Sequence, residues 1–308
     1  MGGQQRIYKQ KIRSTETLAK VFRAMEMIAA SRIGRARERA ASWGPYTHAV
    51  TQAVGAVALH GHVDHPLTRP RTDTNRVAVL VVSSDRGLAG AYSATILRET
   101  DRLLQELREE GKEPVLYTTG RRAQQHYAHR EVPIERSWTG QSDNPSNEVI
   151  HQVADQLLAQ FLNPDPAEGV SEIYLVFTRF KSMISQVPEI RKMLPLTIVD
   201  RAKESHGGTA TGEDAAGEMF PEYEFIPNAE TVLNKLLPLY VSNRIGTALL
   251  QAAASELAAR QQAMRTATDN ADDLITNYSR LANAARQAEI TQEITEIVSG
   301  ADALKQNA

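Results

Sequence analysis

The chain lacks several features that would assign it to a functional class. Its 308 residues include no cysteine, which excludes disulfides, thiolate catalysis and thiolate metal sites. No apolar run approaches the roughly 18 residues that a membrane-spanning helix needs, and no signal-like apolar core follows the basic start. We therefore expect a soluble chain that is not exported. The spacings of a metalloprotease site, a P-loop and a nucleophile elbow are also missing, so the motifs point to no catalytic residue, metal site or cofactor.

Proline is absent from a long stretch near the C-terminus, from about Leu239 to Lys305, where Gly246 and Gly300 are the only glycines. Apolar residues recur there in steps of three and four, at Leu249, Ala253, Leu257, Met264, Ala267, Ala271, Leu274, Tyr278, Leu281, Ala285 and Ala288. A helix of roughly 65 residues would be about 100 Å long, far beyond the diameter of a domain that this chain could form. The pattern predicts one helix of a coiled coil.

The partner helix is predicted at the other end of the chain, since residues from about Gln4 to Ser42 also lack proline. Their apolar stripe comprises Leu18, Val21, Met25 and Ile28 and continues through Ala29, Ile33, Ala36 and Ala40. The Trp43-Gly44-Pro45 sequence predicts an interruption of this helix, which we assign to residues 1–60. Because a whole domain separates the two helices, their patterns alone allow parallel or antiparallel pairing.

Positive charge is concentrated in the N-terminal helix. Residues 1–43 contain ten Lys and Arg against three Glu, a net charge of +7, although the whole chain carries only −2. A solvated helix face is the ordinary explanation, and contact with an acidic protein surface is another. Nucleic-acid binding is less favoured, because no aromatic residue is interleaved through Arg32–Arg39 and no reader motif is present.

Between the terminal helices, strands alternate with helices, which predicts a layered, Rossmann-like α/β domain at residues 76–200. Arg76–Val82 is a continuous apolar run, typical of a strand covered on both faces. Glu172–Phe180 is another strong strand prediction, and a last strand is expected near Met193–Val199. The polar, Gly-rich segment 203–218 predicts a flexible loop within residues 201–226, and the C-terminal helix is assigned to residues 227–308.

Two clusters resemble binding sites, and each has a simpler explanation. Ser84–Gly90 is a glycine-containing turn between a strand and a helix, where backbone N–H groups could hold a phosphate. Close packing of the strand on the helix explains its glycines as well. His60, His62 and His65 have glycine and proline among them, so no helical geometry would hold them on a metal ion. We interpret that segment as a linker.

Four motifs resemble the γ subunit of the F-type ATP synthase. They are Ala24–Ser31, Ser84–Leu88, Ala267–Ala271 and Ile290–Ala301, and they occur in the right order over nearly the whole chain. The last motif is long and highly specific. The resemblance implies a rotor whose terminal helices form an antiparallel coiled coil inside a ring of three α and three β subunits. It further implies that the α/β domain lies on the ring of membrane c subunits, beside ε.

The resemblance also implies roles for individual residues. Arg286 and Gln287 correspond to residues that hydrogen-bond a catch loop of β. Arg23 and Met25 lie at the level of the acidic lever loop of β, although packing in the coiled coil is an equal alternative for Met25. The family has no catalytic residue, no cofactor and no nucleic-acid partner. Its function is to couple proton flow to ATP synthesis at β by rotation. Because this chain has no cysteine and no export signal, we expect it at the cytoplasmic face of a bacterial plasma membrane, and a plastid or mitochondrial origin is the less favoured alternative.

The apolar pattern of the C-terminal helix changes face after Ala288. Continuing the heptad frame gives only polar residues, whereas Ile290, Ile294, Ile297, Ala301 and Leu304 lie two residues out of phase, on nearly the opposite face. An antiparallel partner that starts at about Gln4 would end here. We therefore expect Ile294, Ile297 and Leu304 to make few contacts with residues 1–20 and to form a bearing in the α/β ring.

Two other classes of function stay open at this point. One is a nucleotide-dependent enzyme built on residues 76–200, and the other is a nucleic-acid-binding coiled coil that uses residues 1–43. Nucleotide binding would distinguish the first, and a salt-dependent titration with DNA would distinguish the second.

Overall fold

In the computed structural model the chain divides into two compact units. Ser31–Ala259 form one, here called the domain unit, and Met1–Ala30 with Arg260–Ala308 form the other, the coiled-coil unit. The structure describes residues 3–60, 67–196, 226 and 228–306, and of residues 58–60 and 300–306 it describes the backbone alone. The expected loop at 201–226 and the linker containing His62 and His65 therefore lie outside the described residues, Ile226 excepted.

Two long helices begin and end the described chain. Helix α1 spans Gly3–His60, and helix α5 spans Ala229–Gln306. The predicted interruption at Trp43-Gly44-Pro45 is wrong, because α1 continues through Pro45. A proline inside a helix costs about 3 kcal/mol. Burial of Val50, Val54 and Val57, the next apolar residues of α1, offsets that cost, since each buried aliphatic side chain contributes roughly 1.5–3 kcal/mol.

The domain unit contains a five-stranded sheet in the order β3-β2-β1-β4-β5. The strands are β1 Arg76–Val82, β2 Glu113–Thr119, β3 Ile134–Trp138, β4 Glu172–Phe180 and β5 Gln186–Leu194. Strands β1 to β4 are parallel, and β5 pairs antiparallel with β4. This is the predicted Rossmann-like arrangement, and the α/β fold class is confirmed.

Helices cover both faces of the sheet. They are α2 Tyr92–Glu109, α3 Arg121–His129 and α4 Asn147–Leu162. Val77, Val79 and Val81 of β1 belong to the core cluster that contains residues of α2 and α3. Ala78 and Leu80 belong to the opposite cluster, which contains α4 and the parts of α1 and α5 in the domain unit. Because both faces of β1 are buried, its sequence is continuously apolar.

The last strand differs from its prediction. An apolar strand is expected near Met193–Val199, of which residues 197–199 lie outside the described part of the chain, whereas β5 starts at Gln186 and ends at Leu194. Its polar and charged residues are compatible with an edge position, where one side of the strand is unpaired. Pro188, which pairs with Thr178, is tolerated for the same reason, since proline in sheets is confined to edges and bulges.

Candidate functional site

The two helices of the coiled-coil unit are antiparallel. The rings of Tyr8 and Tyr278 stack with their centroids 6.4 Å apart, and Lys11 Nζ lies 5.3 Å from the centre of the Tyr278 ring. Further along α1, Arg23 Nη2 lies 3.5 Å from Asp272 Oδ2. Residue numbers thus rise on α1 as they fall on α5, which confirms the antiparallel arrangement.

The seam between these helices follows an alternation of three- and four-residue steps. On α1 the covered positions include Tyr8, Ile12, Thr15, Ala19, Phe22, Glu26 and Ala29. On α5 they include Met264, Thr268, Ala271, Ile275, Tyr278, Ala282, Ala285 and Glu289. Small residues such as Ala19 and Ala271 let the two backbones approach closely, which supports knobs-into-holes packing.

The predicted stripe of α1 is wrong at three of its positions. Leu18, Val21 and Ile28 have exposed fractions of 49%, 47% and 54%, whereas the residue after each of them is covered. One residue corresponds to about 100° around a helix, so these three side chains form a second apolar face beside the seam. The prediction is right at Met25 and Ala29, which are half-buried and buried.

The predicted seam of α5 is right at most positions. Covered side chains are found as expected at Met264, Ala267, Ala271, Tyr278, Leu281 and Ala285. Leu274 is instead 45% exposed, and its neighbour Ile275 occupies the seam. The same one-residue shift exposes Ala288 and covers Glu289.

The side chains expected to contact β lie mostly on the surface of the coiled-coil unit. Arg23, Arg286 and Gln287 are exposed, and Met25 is half-buried. Arg23 and Asp272 form an ion pair whose side chains are 60% and 56% exposed. Such surface pairs contribute about 0–1 kcal/mol, so little free energy would be lost if Arg23 turned to another carboxylate.

The end of α5 exposes its apolar residues. Ile294 and Ile297 have exposed fractions of 56% and 72%, and every residue from Ile290 to Ser299 is exposed. This agrees with the expected change of face after Ala288. The side chain of Leu304 lies outside the described part of the chain. The bearing role of these three residues stays a prediction.

Sequence reasoning missed the contact between Tyr8 and Tyr278. Tyr278 is assigned to the seam by its spacing, but Tyr8 precedes the first residue of the predicted stripe on α1. The usable signal is the four-residue step from Tyr8 to Ile12, which extends the three- and four-residue spacing toward the start of the helix. An aromatic pair of this kind contributes roughly 0.5–1.5 kcal/mol beyond its buried area.

In the domain unit, the carboxyl edge of the sheet carries the segment Ser84–Gly90, the candidate phosphate cradle. Asp85 Oδ1 accepts a hydrogen bond from the backbone N–H of Arg121 at 3.1 Å, and Oδ2 accepts one from that of Ser142 at 2.9 Å. Partial burial would raise the pKa of Asp85, but these N–H groups, the N–H of Gly140 and the Ser142 hydroxyl hold it below its usual value.

A carboxylate of the chain itself therefore occupies the N-terminus of α3, where an anion could otherwise bind. The guanidinium of Arg122 fills the space beside Gly87, where a Cβ would collide with Arg122 Nη2. The neighbouring depression is lined by Val82, Thr119, Gly120, Trp138, Thr139, Gln141, Ser142, Pro145, Val149 and Leu249. None of these is charged, so the depression itself offers no cation to a phosphate.

Part of the positive charge of α1 is used within the domain unit. Arg32 Nη1 donates to Asp143 Oδ2 at 2.7 Å, and Arg39 donates to Asn144 at 2.8 Å and to Asn147 at 3.2 Å. Arg37 lies over the ring of Phe180, 5.7 Å from its centre. The contacts of Arg32 and Arg39 attach α1 to the segment around the start of α4, and they leave fewer cations available for nucleic acid.

Within the described ranges, no group of three His, Asp or Glu residues could hold a metal ion. Among the same residues, none of the helices combines the length and the hydropathy that a membrane crossing requires.

Comparison with known proteins gives a consistent result. A family model described as ATP synthase matches residues 4–304. The ATP synthase gamma chain of Beutenbergia cavernae is 60% identical over 304 residues, with 99% of both chains covered. That of Acidothermus cellulolyticus is 54% identical, with 99% of this chain and 98% of the relative covered.

A solved structure shares the fold. A chain in the Euglena gracilis mitochondrial ATP synthase, from the OSCP/F1/c-ring structure in rotational state 3, has a TM-score of 0.66 at 17% identity. The match covers 99% of this chain and 95% of that one. On the family model and the two relatives together, the chain belongs to the ATP synthase gamma-chain family.

Proposed function

We propose that this chain is the central-stalk rotor subunit of a proton-translocating ATP synthase. The observation that carries the proposal is the 60% identity to a gamma chain across 99% of both chains, because it leaves no major part of the relative without a counterpart. A second support is the antiparallel helix pair, with apolar residues exposed beside its seam and at the end of α5.

In this proposal the coiled-coil unit turns inside a ring of α and β subunits, and the domain unit is attached to the c ring beside ε. Each unit charge that crosses 100 mV supplies about 2.3 kcal/mol, and the rotor delivers the sum of several such steps to a distant catalytic site. Rotation drives each β subunit in turn through open, loose and tight states. The complex would lie at the cytoplasmic face of a bacterial plasma membrane, with this chain peripheral.

The chain itself is non-catalytic in this proposal. Its Rossmann-like sheet has the topology that often binds nucleotides, but fold alone does not establish function. At the carboxyl edge the Asp85 carboxylate occupies the N-terminus of α3, where a phosphate would be held. The ATP-binding sites would therefore belong to the ring.

The proposed contacts with β are Arg23, Met25, Arg286 and Gln287. Exposed Arg and Gln side chains can form the directional hydrogen bonds that contact with the catch loop of β requires. Ile294, Ile297 and Leu304 would form the bearing. Apolar contacts are not directional, so these side chains could slide past the surrounding ring without breaking hydrogen bonds.

Single-molecule rotation tests the proposal. Because the chain has no cysteine, Gln125→Cys on the exposed side of α3 would give one site for a biotin-linked bead. The variant is assembled with cysteine-free α and β subunits immobilised through β. We expect ATP to drive stepwise rotation in one direction and ADP to drive none. A complex that hydrolyses ATP while the bead stays still would contradict the rotor function.

A further inference from the structure

A partly buried polar cluster joins α1 to α5 inside the domain unit. The Oγ1 atom of Thr47 lies 2.7 Å from Asn243 Oδ1 and 3.3 Å from Thr247 Oγ1, and Thr247 Oγ1 lies 3.4 Å from Asn243 Oδ1. Asn243 is only 3% exposed. Apolar residues of the same two helices belong to the larger core cluster, including Val50, Tyr240 and Val241.

The hydroxyl of Thr47 has one hydrogen and two acceptors within reach of it. They are the carbonyl oxygen of Trp43 at 2.8 Å and Asn243 Oδ1 at 2.7 Å. With the amide as placed, Asn243 Nδ2 has no hydrogen-bond partner among the described residues. With the amide rotated by 180°, Nδ2 would donate to the hydroxyl oxygens of Thr47 and Thr247, so Asn243 bonds to Thr47 of α1 in either orientation. The cluster then joins the helices by directional bonds.

A steric feature lies at the same level of the helices. A Cβ on Gly246 would collide with Cζ3 of Trp43, so the indole rests directly on the backbone of α5. Gly246 is the only glycine between Ala229 and Ser299. Among the residues of α5 whose side chains are described, Gly246 is therefore the single position where the Trp43 ring can lie this close to the backbone.

Apolar contacts alone would fix the alignment of these helices weakly. Contacts among Val, Leu and Ala are not directional, so a slide of one turn could exchange them for similar ones. Such a slide would place a residue with a side chain under Trp43. It would also separate Asn243 from its partners, and a buried polar group without a partner destabilises the fold.

We propose that Thr47, Asn243 and Thr247, with Trp43 on Gly246, form a register lock that fixes the axial alignment of α1 and α5. With the lock in place, a force applied to one helix would be transmitted to the other, and the two helices would not slide along each other. These are positioning residues, and their role in load transfer rests on the proposed rotor function. Buried polar groups that specify register at some expense of stability are known in coiled coils.

The lock is tested by removing its polar groups together, with Thr47→Val, Asn243→Leu and Thr247→Val in the full chain. Spin labels on Arg35→Cys of α1 and Lys235→Cys of α5, both at exposed positions, report axial alignment by pulsed EPR. We expect unfolding at an equal or higher temperature, since no orphaned polar group remains. We also expect a second distance population, displaced by about 5 Å, the rise of one helical turn.

The matched control is Thr100→Val, which removes a buried hydroxyl that bonds to Ile96 within α2. It should leave a single distance population. Thr47→Ser with Thr247→Ser keeps both hydroxyls and should also leave one. Adding Trp43→Leu to the triple variant removes the steric part of the lock as well. A quadruple variant with the same narrow distribution as the parent would overturn the lock.

The load-bearing role is tested in the complete complex reconstituted into vesicles, by the ratio of protons pumped to ATP hydrolysed. We expect a loss in this ratio for the triple variant and none for the two controls. An unchanged ratio with displaced labels would overturn the load-bearing role. A parent complex that hydrolyses ATP without pumping would instead contradict the proposed function, so the two failures are distinguishable.

Discussion

At the scale of single residues, Glu172 shows how one partly buried carboxylate is held by two cations. Lys112 Nζ lies 2.9 Å from its Oε2, and Lys192 Nζ lies 2.7 Å from its Oε1. Burial alone would raise the pKa of Glu172, but the two ammonium groups lower it below the ordinary value of 4.5. The carboxylate therefore connects the beginnings of β2 and β4 to the end of β5.

We predict that Glu172→Gln lowers the free energy of unfolding by about 1–3 kcal/mol at pH 7, as expected for lost hydrogen bonds to charged groups. Because the folded pKa is the lower one, this stabilisation is complete above the unfolded value near 4.5 and is lost as pH falls through the folded value. Urea unfolding of both proteins between pH 7 and pH 3 should show the difference shrinking below about pH 4.5.

Glu113→Gln is the matched control, because the Glu113 side chain is 70% exposed and lies 3.8 Å from Arg76. It should change stability by less than about 0.5 kcal/mol at either pH. A pH-independent loss in Glu172→Gln would mean that packing, not charge, accounts for the effect.

Arg286 gives a second prediction at this scale. Its side chain is exposed, so Arg286→Ala should leave thermal unfolding of the chain unchanged. In the assembled complex, loss of a charge-assisted hydrogen bond of about 1.5–3 kcal/mol should lower turnover roughly 10- to 100-fold if that bond is formed during the rate-limiting step. The rate of ATP hydrolysis by the complex measures this turnover. Arg265→Ala, also exposed on α5, is the control, and equal losses in both variants would contradict the catch assignment.

At the scale of secondary-structure elements, the seam of the coiled-coil unit distinguishes two neighbouring residues of α5. Ile275 lies in the seam, and Leu274 is 45% exposed. We predict that Ile275→Asp destabilises the coiled-coil unit by about 1–3 kcal/mol and that Leu274→Asp has a much smaller effect, because only the first places a carboxylate between helices. Thermal unfolding followed by circular dichroism is the measurement. A larger effect of Leu274→Asp than of Ile275→Asp would instead support the heptad frame predicted from the sequence, in which Leu274 faces the partner helix.

This one-residue shift shows what sequence patterns can and cannot supply for long helices. The heptad spacing predicted both helices and, at Met264, Ala271 and Tyr278, the right face. It failed at Leu274 and Ile275, because both positions are apolar and the pattern does not say which of them faces the partner. The bounds of β1 and β4 were predicted to the residue, since continuous apolar runs between polar neighbours are unambiguous.

Other misses have a different physical origin. Gly44 and Pro45 carry strong local signals for a break, and the tertiary burial of the valines that follow them on α1 overrides these signals. The contacts of Asp85 with Arg121 and Ser142 join residues 36 and 57 positions apart, so no local pattern could have revealed them. For partner contacts such as Arg286, sequence resemblance alone supplied the prediction.

At the scale of the whole molecule, we predict that the isolated full chain binds neither MgATP nor MgADP with micromolar affinity. The carboxyl edge of its sheet already holds the Asp85 carboxylate, which would repel a phosphate. Isothermal titration calorimetry at about 0.1 M salt would detect such binding, with the assembled complex as the positive control. A micromolar site retained in the isolated chain would favour the nucleotide-dependent alternative.

The apolar side chains exposed on the coiled-coil unit also affect how the chain behaves before it joins the complex. Leu18, Val21 and Ile28 of α1 and Ile294 and Ile297 of α5 are uncovered in the single chain. Apolar side chains exposed to water promote association and recognition by chaperones and proteases. A cell that makes this chain in excess of its partners would accumulate a species prone to aggregation or degradation. Balanced synthesis of the subunits would then matter as much to the abundance of the complex as the stability of any one fold.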